Sequence, residues 1–283
     1  MSSVLRGLVA STFIAGLLQS PAAGAEFSRL CTFEYVLFKS WISTARAFKF
    51  PPFAPKTERR TETPIELRDK AHVTGYSYAT KHGLIEEEFV LILQGNAMMA
   101  ERVAQLADEV ADRTSRRVYV FAYRGYGNDE QEVPSTGALL GDTVEVVARL
   151  FGQSGTRKGV LVGISMGGIF ALHAAKQLPH LNLHLLLDSV PARIPTVFVS
   201  LCPKYLDPIE MLSDELIGRT GIIYSESDPN YTGVADADRM IGRIRSRSTF
   251  VEKVDTAHAE LSPRGVLVRA PLYAKYIDGK ASR

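Results

Sequence analysis

A serine flanked by glycines at residues 163–167 is the feature of the sequence most suggestive of chemistry. The stretch GVLVGISMGGIFALHAA, residues 159–175, is an apolar β-branched run, then a Gly-x-Ser-x-Gly pattern, then apolar residues at helical spacing. A serine at a sharp strand-to-helix turn has a strained backbone that exposes its hydroxyl, and the glycines leave room for the neighbouring strand and helix. The pattern predicts Ser165 as a nucleophile at a helix N-terminus, where backbone N–H groups favour negative charge. Simple capping of a helix is the alternative.

A serine hydroxyl needs a base to take its proton, and the base needs an acid to orient it. Among the six histidines, only His258, in DTAHAEL, falls in a loop after the last predicted strands. For the acid, Asp228 in SESDPN directly follows a predicted strand, and Asp188 at the end of the preceding strand is its rival. The chain order serine, acid, histidine predicts the triad Ser165, Asp228 and His258. The other histidines are expected to be exposed or satisfied polar residues: His72, His82, His173, His180 and His184.

Two backbone amides are expected to stabilise the oxyanion that forms when a serine attacks a carbonyl carbon. One belongs to Met166, the residue after the nucleophile. The other comes from the loop LQGNAMMAE after the apolar run at 88–95, where Gly95 allows a close backbone approach. Asn96 or Ala97 supplies that second amide, and Asn96 is the residue assigned to it.

The elements that position these residues alternate between strand and helix from residue 65 onward. Alternating or continuous apolar runs predict strands at 72–80, 88–95, 117–125, 159–164, 183–188, 221–226 and 249–254. Helical spacing predicts helices at 97–113, 137–152, from the serine turn to 178, 234–246 and 270–278. This alternation predicts an α/β fold, a mainly parallel twisted sheet with helices on both faces.

The first 25 residues have the features of a secretory signal peptide. Arg6 precedes the apolar run GLVASTFIAGLL, and the small residues AGA at 23–25 fit a cleavage site. The run is shorter than the ~20 apolar residues of a membrane span. We therefore expect export, to the periplasm or the medium, with an uncleaved membrane anchor as the alternative. Residues 26–64 are predicted to form a helix, at 28–48, and a Pro-rich and polar connector before the main domain at 65–283.

Composition and motifs exclude several other classes of function. The net charge is +2, and the basic run RIRSRS at 243–248 has no interleaved aromatic residues, so no nucleic-acid partner is expected. Zinc-binding spacings such as HExxH and the glycine patterns of phosphate and dinucleotide loops are absent, so neither a metal nor a cofactor is predicted. In an oxidising compartment Cys31 and Cys202 are able to form a disulfide, with two buried thiols as an equal alternative.

Three motifs resemble those of the α/β-hydrolase superfamily of serine hydrolases: LQGNA at 93–97, AYRGYGNDE at 122–130 and GISMGG at 163–168. The resemblance covers residues 65–280 and is to a branch of small hydrolases with little lid, marked by HGNA and RGYG motifs. That branch includes membrane-associated enzymes, some of which act on thioesters. The resemblance implies that residues 124–127 form a structural loop. Gln94 stands where the family has a histidine that shapes the oxyanion loop, which leaves substrate preference open.

We therefore expect a serine hydrolase that cleaves a small carboxylic ester or thioester through an acyl-enzyme. Residues 189–220, where a lid would be inserted, are few for a large lid. Their apolar part is expected to form one short covering helix. A small cap of this kind favours an open site and modest acyl or aryl esters. Proximity to a membrane through the N-terminal segment is compatible with this expectation. Two alternatives remain: an inactive scaffold protein of the same fold, and an acyltransferase that uses the same triad.

Overall fold

The computed structural model describes residues 39–40, 42–44, 59–80, 83–126, 133–152, 156–193, 206–231, 233–248 and 250–281. The predicted signal peptide, both cysteines and residues 194–205 of the predicted cap lie outside the described residues. Within the N-terminal helix predicted at 28–48, residues 39–40 and 42–44 are helical, and Ile42 is buried.

The described part of the chain contains eight strands. They are β1 (Arg60–Glu66), β2 (His72–Tyr78), β3 (Ile85–Leu93), β4 (Arg116–Phe121), β5 (Lys158–Ile164), β6 (Leu183–Asp188), β7 (Thr220–Ser225) and β8 (Val251–Val254). They form one sheet in the order β1-β2-β4-β3-β5-β6-β7-β8. The pairs β1–β2 and β2–β4 are antiparallel, and every later pair is parallel. The predicted mainly parallel sheet is confirmed.

Helices cover both faces of this sheet. After a 3-10 turn at Ala100–Val103, they are α1 (Ala104–Thr114), α2 (Thr136–Phe151), α3 (Gly167–Gln177), α4 (Pro208–Met211), α5 (Asp214–Gly218), α6 (Ala235–Arg245) and α7 (Pro263–Ala281). Helices α1 and α7 pack together, as do α2 and α3. Within the described ranges, no helix combines the length and apolar character that crossing a membrane requires.

The central strands are apolar because both of their faces are covered. All seven residues of β5 are buried. In β3, Leu91 and Leu93 belong to one apolar core, and Val90 and Ile92 belong to the core on the opposite face. The alternation of side chains along a strand thus supplies two cores at once, and the carboxyl ends of these buried strands are held rigidly at one edge.

The edge strand β1 differs from the prediction, which had a polar connector up to residue 64. All seven residues of β1 are exposed or half-buried, so the strand lacks the apolar alternation that indicates a strand in sequence. Pairing with β2 forms it instead, with Arg60 opposite Tyr78. The Arg60 guanidinium also lies 4.7 Å from the ring centre of Tyr76. A charged strand with one neighbour is typical of a protected sheet edge.

His184 on β6 is expected to make the fold sensitive to acid. Burial, together with Lys158, Lys280 and Arg219, lowers its pKa from 6.5 to about 4, and its Nδ1 has no partner among the described residues. Between pH 6.5 and about pH 4 this histidine is protonated in the unfolded chain and neutral in the folded chain, so stability falls as the pH falls. The free energy of unfolding of the wild type should fall between about pH 7 and about pH 4.5. In His184→Gln this fall should be smaller by on the order of 2 kcal/mol.

Urea unfolding at both pH values measures this difference. His180 is exposed and provides the matched control, because His180→Gln should keep the acid sensitivity of the wild type. An equal loss of stability in His184→Gln and the wild type would contradict the assignment.

Candidate active site

Ser165 lies at the turn between β5 and α3 with φ of 50°. This left-handed conformation is uncommon for a residue with a side chain, and such strain persists where the surrounding structure enforces it. The Ser165 amide donates to the Asp188 carbonyl at 2.8 Å, and the Ser165 carbonyl accepts from the Gly168 amide at 3.0 Å. These bonds hold the turn from both sides, and the serine lies at the predicted strand-to-helix elbow.

Glycine is required around Ser165 because neighbouring backbone comes very close. A Cβ on Gly163 would lie 2.4 Å from the Gly168 Cα, and one on Gly167 would lie 2.1 Å from the Leu93 carbonyl oxygen. A Cβ on Gly168 would lie 2.2 Å from a methyl group of Val190. The second glycine of the pair, Gly168, thus has a packing role that the Gly-x-Ser-x-Gly pattern does not include.

Gly167→Ala is expected to lower the free energy of unfolding by about 3 kcal/mol, because its new methyl group meets rigid backbone of β3. The displaced atoms lead into the loop at Gln94, so ester hydrolysis should fall as well. Gly242 on α6 is the control, since an added Cβ there meets no atom within 4 Å. Gly242→Ala should gain about 0.5–1 kcal/mol. Denaturant unfolding of both variants checks this, and equal stabilities would refute the close approach.

The structure brings together the three residues predicted for the triad. The Nε2 of His258 lies 2.9 Å from the Ser165 Oγ, and its Nδ1 lies 2.6 Å from the Asp228 Oδ2. Asp228 follows β7 and is fully buried, whereas the His258 side chain, between β8 and α7, is 33% exposed. A base in contact with both the hydroxyl and a buried carboxylate has the geometry that activates a serine.

Asn230 holds the second carboxylate oxygen of Asp228 and was missed by the sequence analysis. Its backbone amide donates to Asp228 Oδ1 at 2.9 Å, and its side-chain amide donates to the same oxygen at 3.0 Å. An aspartate that accepts from the amide two residues later forms an Asx turn, for which the Asp-Pro-Asn sequence is a signal. Asn230 therefore fixes the carboxylate so that Oδ2 faces His258.

Asp188, the alternative acid, is turned away from His258 in the structure. Its Oδ2 accepts from Arg269 Nε and from the Tyr273 hydroxyl, each at 2.7 Å, and its Oδ1 accepts from Ser189 Oγ at 2.8 Å. Burial and then the charge of Asp188 raise the pKa of Tyr273 well above its usual range, so this phenol stays a donor. The geometry thus places Asp228, not Asp188, beside the imidazole.

The loop at 94–97 after β3, in which the second oxyanion amide is predicted, lies beside the nucleophile: a Cβ on Gly95 would be 3.2 Å from the Ser165 Cβ. Neither the Asn96 nor the Met166 amide donates to an acceptor within the described residues. Ala97 has φ of 53°, and its amide likewise donates to no backbone acceptor within the described residues. Asn96 and Ala97 therefore both remain candidates for this place, and Asn96 stays the predicted one.

Gln94 ties the same loop to the end of β4. Its Nε2 donates to the Phe121 carbonyl at 3.0 Å, and its backbone carbonyl accepts from the Tyr123 hydroxyl at 2.9 Å. All three residues are buried. A glutamine at this position can therefore hold the loop through an amide and a backbone oxygen.

Arg124 connects the loop after β4 to two distant segments. Its guanidinium contacts the buried Asp142 on α2 at 2.6 Å and Asp69 at 2.6 Å. These contacts give Arg124 a structural part in the loop, in keeping with the expectation for residues 124–127. Across the residues that the structure describes, no group of three histidine, cysteine, aspartate or glutamate side chains is arranged to hold a metal ion.

Comparison with known proteins identifies the class of protein that has this fold and elbow. The model of the alpha/beta hydrolase family matches residues 90–279, well over half of the chain. The chain belongs to the alpha/beta hydrolase family. No match is found among the curated proteins.

Many solved structures share the fold at low sequence identity. A lidless serine hydrolase from Xanthomonas campestris is 15% identical with a TM-score of 0.56, over 80% of this chain and 96% of that one. An arylesterase is 15% identical with a TM-score of 0.59, over 95% of this chain and 97% of that one. A thermostable carboxyl esterase from Bacillus coagulans is 12% identical with a TM-score of 0.59, over 79% of this chain and 99% of that one.

Proposed function

We propose that the protein is a serine hydrolase that cleaves small carboxylic esters or thioesters through an acyl-enzyme. The observation that carries this proposal is the hydrogen-bonded series from the Ser165 hydroxyl through His258 to the buried Asp228. Membership of the family supports it, as do the esterases among the proteins of similar fold.

In the proposed mechanism, His258 Nε2 takes the proton of Ser165 as the hydroxyl oxygen attacks the carbonyl carbon. Its Nδ1–H donates to Asp228, which stabilises the imidazolium that forms. The amides of Asn96 and Met166 bind the oxyanion, and His258 then protonates the departing alcohol or thiol. Water attacks the acyl-enzyme with His258 again as the base, and the acid leaves.

The surroundings of the triad favour an open site. The His258 side chain is 33% exposed, and the described residues between β6 and β7 include the short helices α4 and α5. These features support substrates with modest acyl or aryl groups. We also propose that the reaction takes place outside the cytoplasm, in agreement with the N-terminal sequence.

Hydrolysis of acyl p-nitrophenyl esters and matching thioesters of increasing chain length tests this proposal. An organophosphonate that reacts with activated serines should abolish turnover and label the peptide that contains Ser165. The variant His258→Ala should neither turn over nor take the label. Turnover that survives complete labelling of Ser165 would overturn the proposal.

Two outcomes would favour the alternatives. A folded protein that neither turns over any ester nor takes the label favours a scaffold. Acyl transfer to an added alcohol or amine that outpaces release of the acid favours a transferase.

A further inference from the structure

Asp188 is a buried carboxylate with more hydrogen bonds than its place at the end of β6 requires. Its side chain is fully buried and accepts from Arg269, Tyr273 and Ser189. The guanidinium of Arg269 is also fully buried. A buried ion pair is a weak source of net stability, because both charges lose their hydration. The contacts that this pair makes with the site are therefore of more interest than its contribution to stability.

The backbone of Asp188 contacts the nucleophile directly. Its carbonyl accepts from the Ser165 amide at 2.8 Å, and Asp188 pairs with Ile164 in the sheet. The left-handed turn at Ser165 is therefore anchored to the same residue that carries the buried carboxylate.

The side-chain partners of Asp188 contact the loop of the base on both sides of His258. Ser189 Oγ, which donates to Asp188, accepts from the Ala259 amide at 3.2 Å. The Nη1 of Arg269, whose Nε donates to Asp188, donates to Thr256 Oγ1 at 2.9 Å. One bond thus lies two residues before His258, and the other lies one residue after it.

Backbone strain marks both ends of the Ser189–Ala259 bond. Ser189 has φ of 56° and Ala259 has φ of 46°, conformations that residues with side chains rarely adopt. Such strain requires the surroundings to enforce it. The hydroxyl of Ser189 and the carboxylate of Asp188 are among the groups that do so.

We propose that Asp188, Ser189 and Arg269 form a positioning unit that fixes the distance between the Ser165 hydroxyl and the His258 ring. This inference rests on the proposed function, because it assigns these residues a part in the same reaction. None of the three is a catalytic residue: each acts through the backbone at 165 or through the loop at 256–259. A displacement of about 1 Å in such a site lowers the rate by about 100-fold.

Ser189→Ala is the sharpest test, because it keeps the ion pair and removes the bond to Ala259. We expect kcat for ester hydrolysis to fall by about 10- to 100-fold with KM within about twofold of the wild type. Thr256→Val, which removes the bond from Arg269, should act in the same way and serves as a second variant.

Tyr273→Phe is the matched control, because the Tyr273 hydroxyl binds Asp188 without contacting the loop at 256–259 in any of the bonds above. It should lower the free energy of unfolding yet keep kcat. Wild-type kcat in both Ser189→Ala and Thr256→Val would overturn the proposal. An equal fall of kcat in Tyr273→Phe would overturn it too, because the carboxylate would then be acting only through general stability.

A readout without turnover separates this proposal from the proposed function. In protein with [15N]histidine, the ring nitrogen resonances of His258, assigned with His258→Ala, report the contacts of the imidazole. They should shift in Ser189→Ala and stay unchanged in Tyr273→Phe. If the wild type hydrolyses no ester, the proposed function fails, and unshifted resonances in Ser189→Ala would show separately that the positioning unit is absent.

Discussion

Replacing Ser165 with alanine is expected to lower kcat for ester hydrolysis by about 10⁵- to 10⁶-fold while leaving the fold intact. The hydroxyl is the only group lost, and its bond within the site is to His258 Nε2 at 2.9 Å. The bonds that hold the turn involve the backbone of Ser165, so alanine can keep them. The amides of Asn96 and Met166 also remain, and they should sustain a weak residual rate over water.

Steady-state kinetics on the p-nitrophenyl ester that the wild type hydrolyses best, together with urea unfolding, measure both parts of this expectation. Ser246 is exposed and gives the control, because Ser246→Ala should keep full activity. His258→Ala should lose about as much as Ser165→Ala, and the double variant should lose no more, since residues that act as one unit are not additive. A Ser165→Ala protein that keeps the wild-type rate would disprove the assignment of the nucleophile.

The buried strands were predictable because both of their faces are apolar. Residues 183–188 form β6 with the predicted bounds, and the run predicted at 159–164 forms β5 one residue longer. Burial on both sides leaves an uninterrupted apolar run that flanking glycine and polar residues delimit. The apolar pattern of the sequence therefore predicts the bounds of those strands whose structure is decided by packing.

The elements that the sequence did not predict are those decided by other forces. Pairing with a neighbour, rather than apolar alternation, forms β1. The helix predicted at 97–113 begins as a 3-10 turn at residue 100 and becomes α-helical at 104. Ala97 has φ of 53°, which a right-handed helix does not accommodate, so the helix cannot begin there. This is the loop in which the oxyanion amide is expected.

Sequence spacing alone does not decide between Asp228 and Asp188 as the acid of the triad. Both aspartates end or follow parallel strands, so both are expected at the same edge of the sheet. Which of them contacts His258 depends on partners such as Arg269, whose place on α7 near Asp188 is a matter of tertiary packing. The Asp-Pro-Asn turn is a local signal that could have distinguished Asp228, since it orients that carboxylate through Asn230.

Replacing Asp228 with asparagine is expected to lower kcat/KM by about 10⁴-fold, because the imidazole would take the wrong tautomer. The Oδ1 position accepts two N–H donors from Asn230, so the amide oxygen of the new asparagine should occupy it. The amide nitrogen would then face His258 Nδ1, which is 2.6 Å from Oδ2 in the native site. That nitrogen donates, so Nδ1 must accept and the ring proton moves to Nε2. A protonated Nε2 on a neutral ring has no lone pair for the Ser165 proton.

Asp255 offers a matched control, since it lies three residues before His258 and its side chain is fully exposed. Asp255→Asn should hydrolyse esters at the wild-type rate. Nitrogen resonances of the His258 ring should show the proton on Nδ1 in the wild type and on Nε2 in Asp228→Asn. An Asp228→Asn protein that is folded and fully active would mean that another group orients the base. Because Asp188 is already bound to Arg269, Tyr273 and Ser189, it could take that part only if the loop at 256–259 moved.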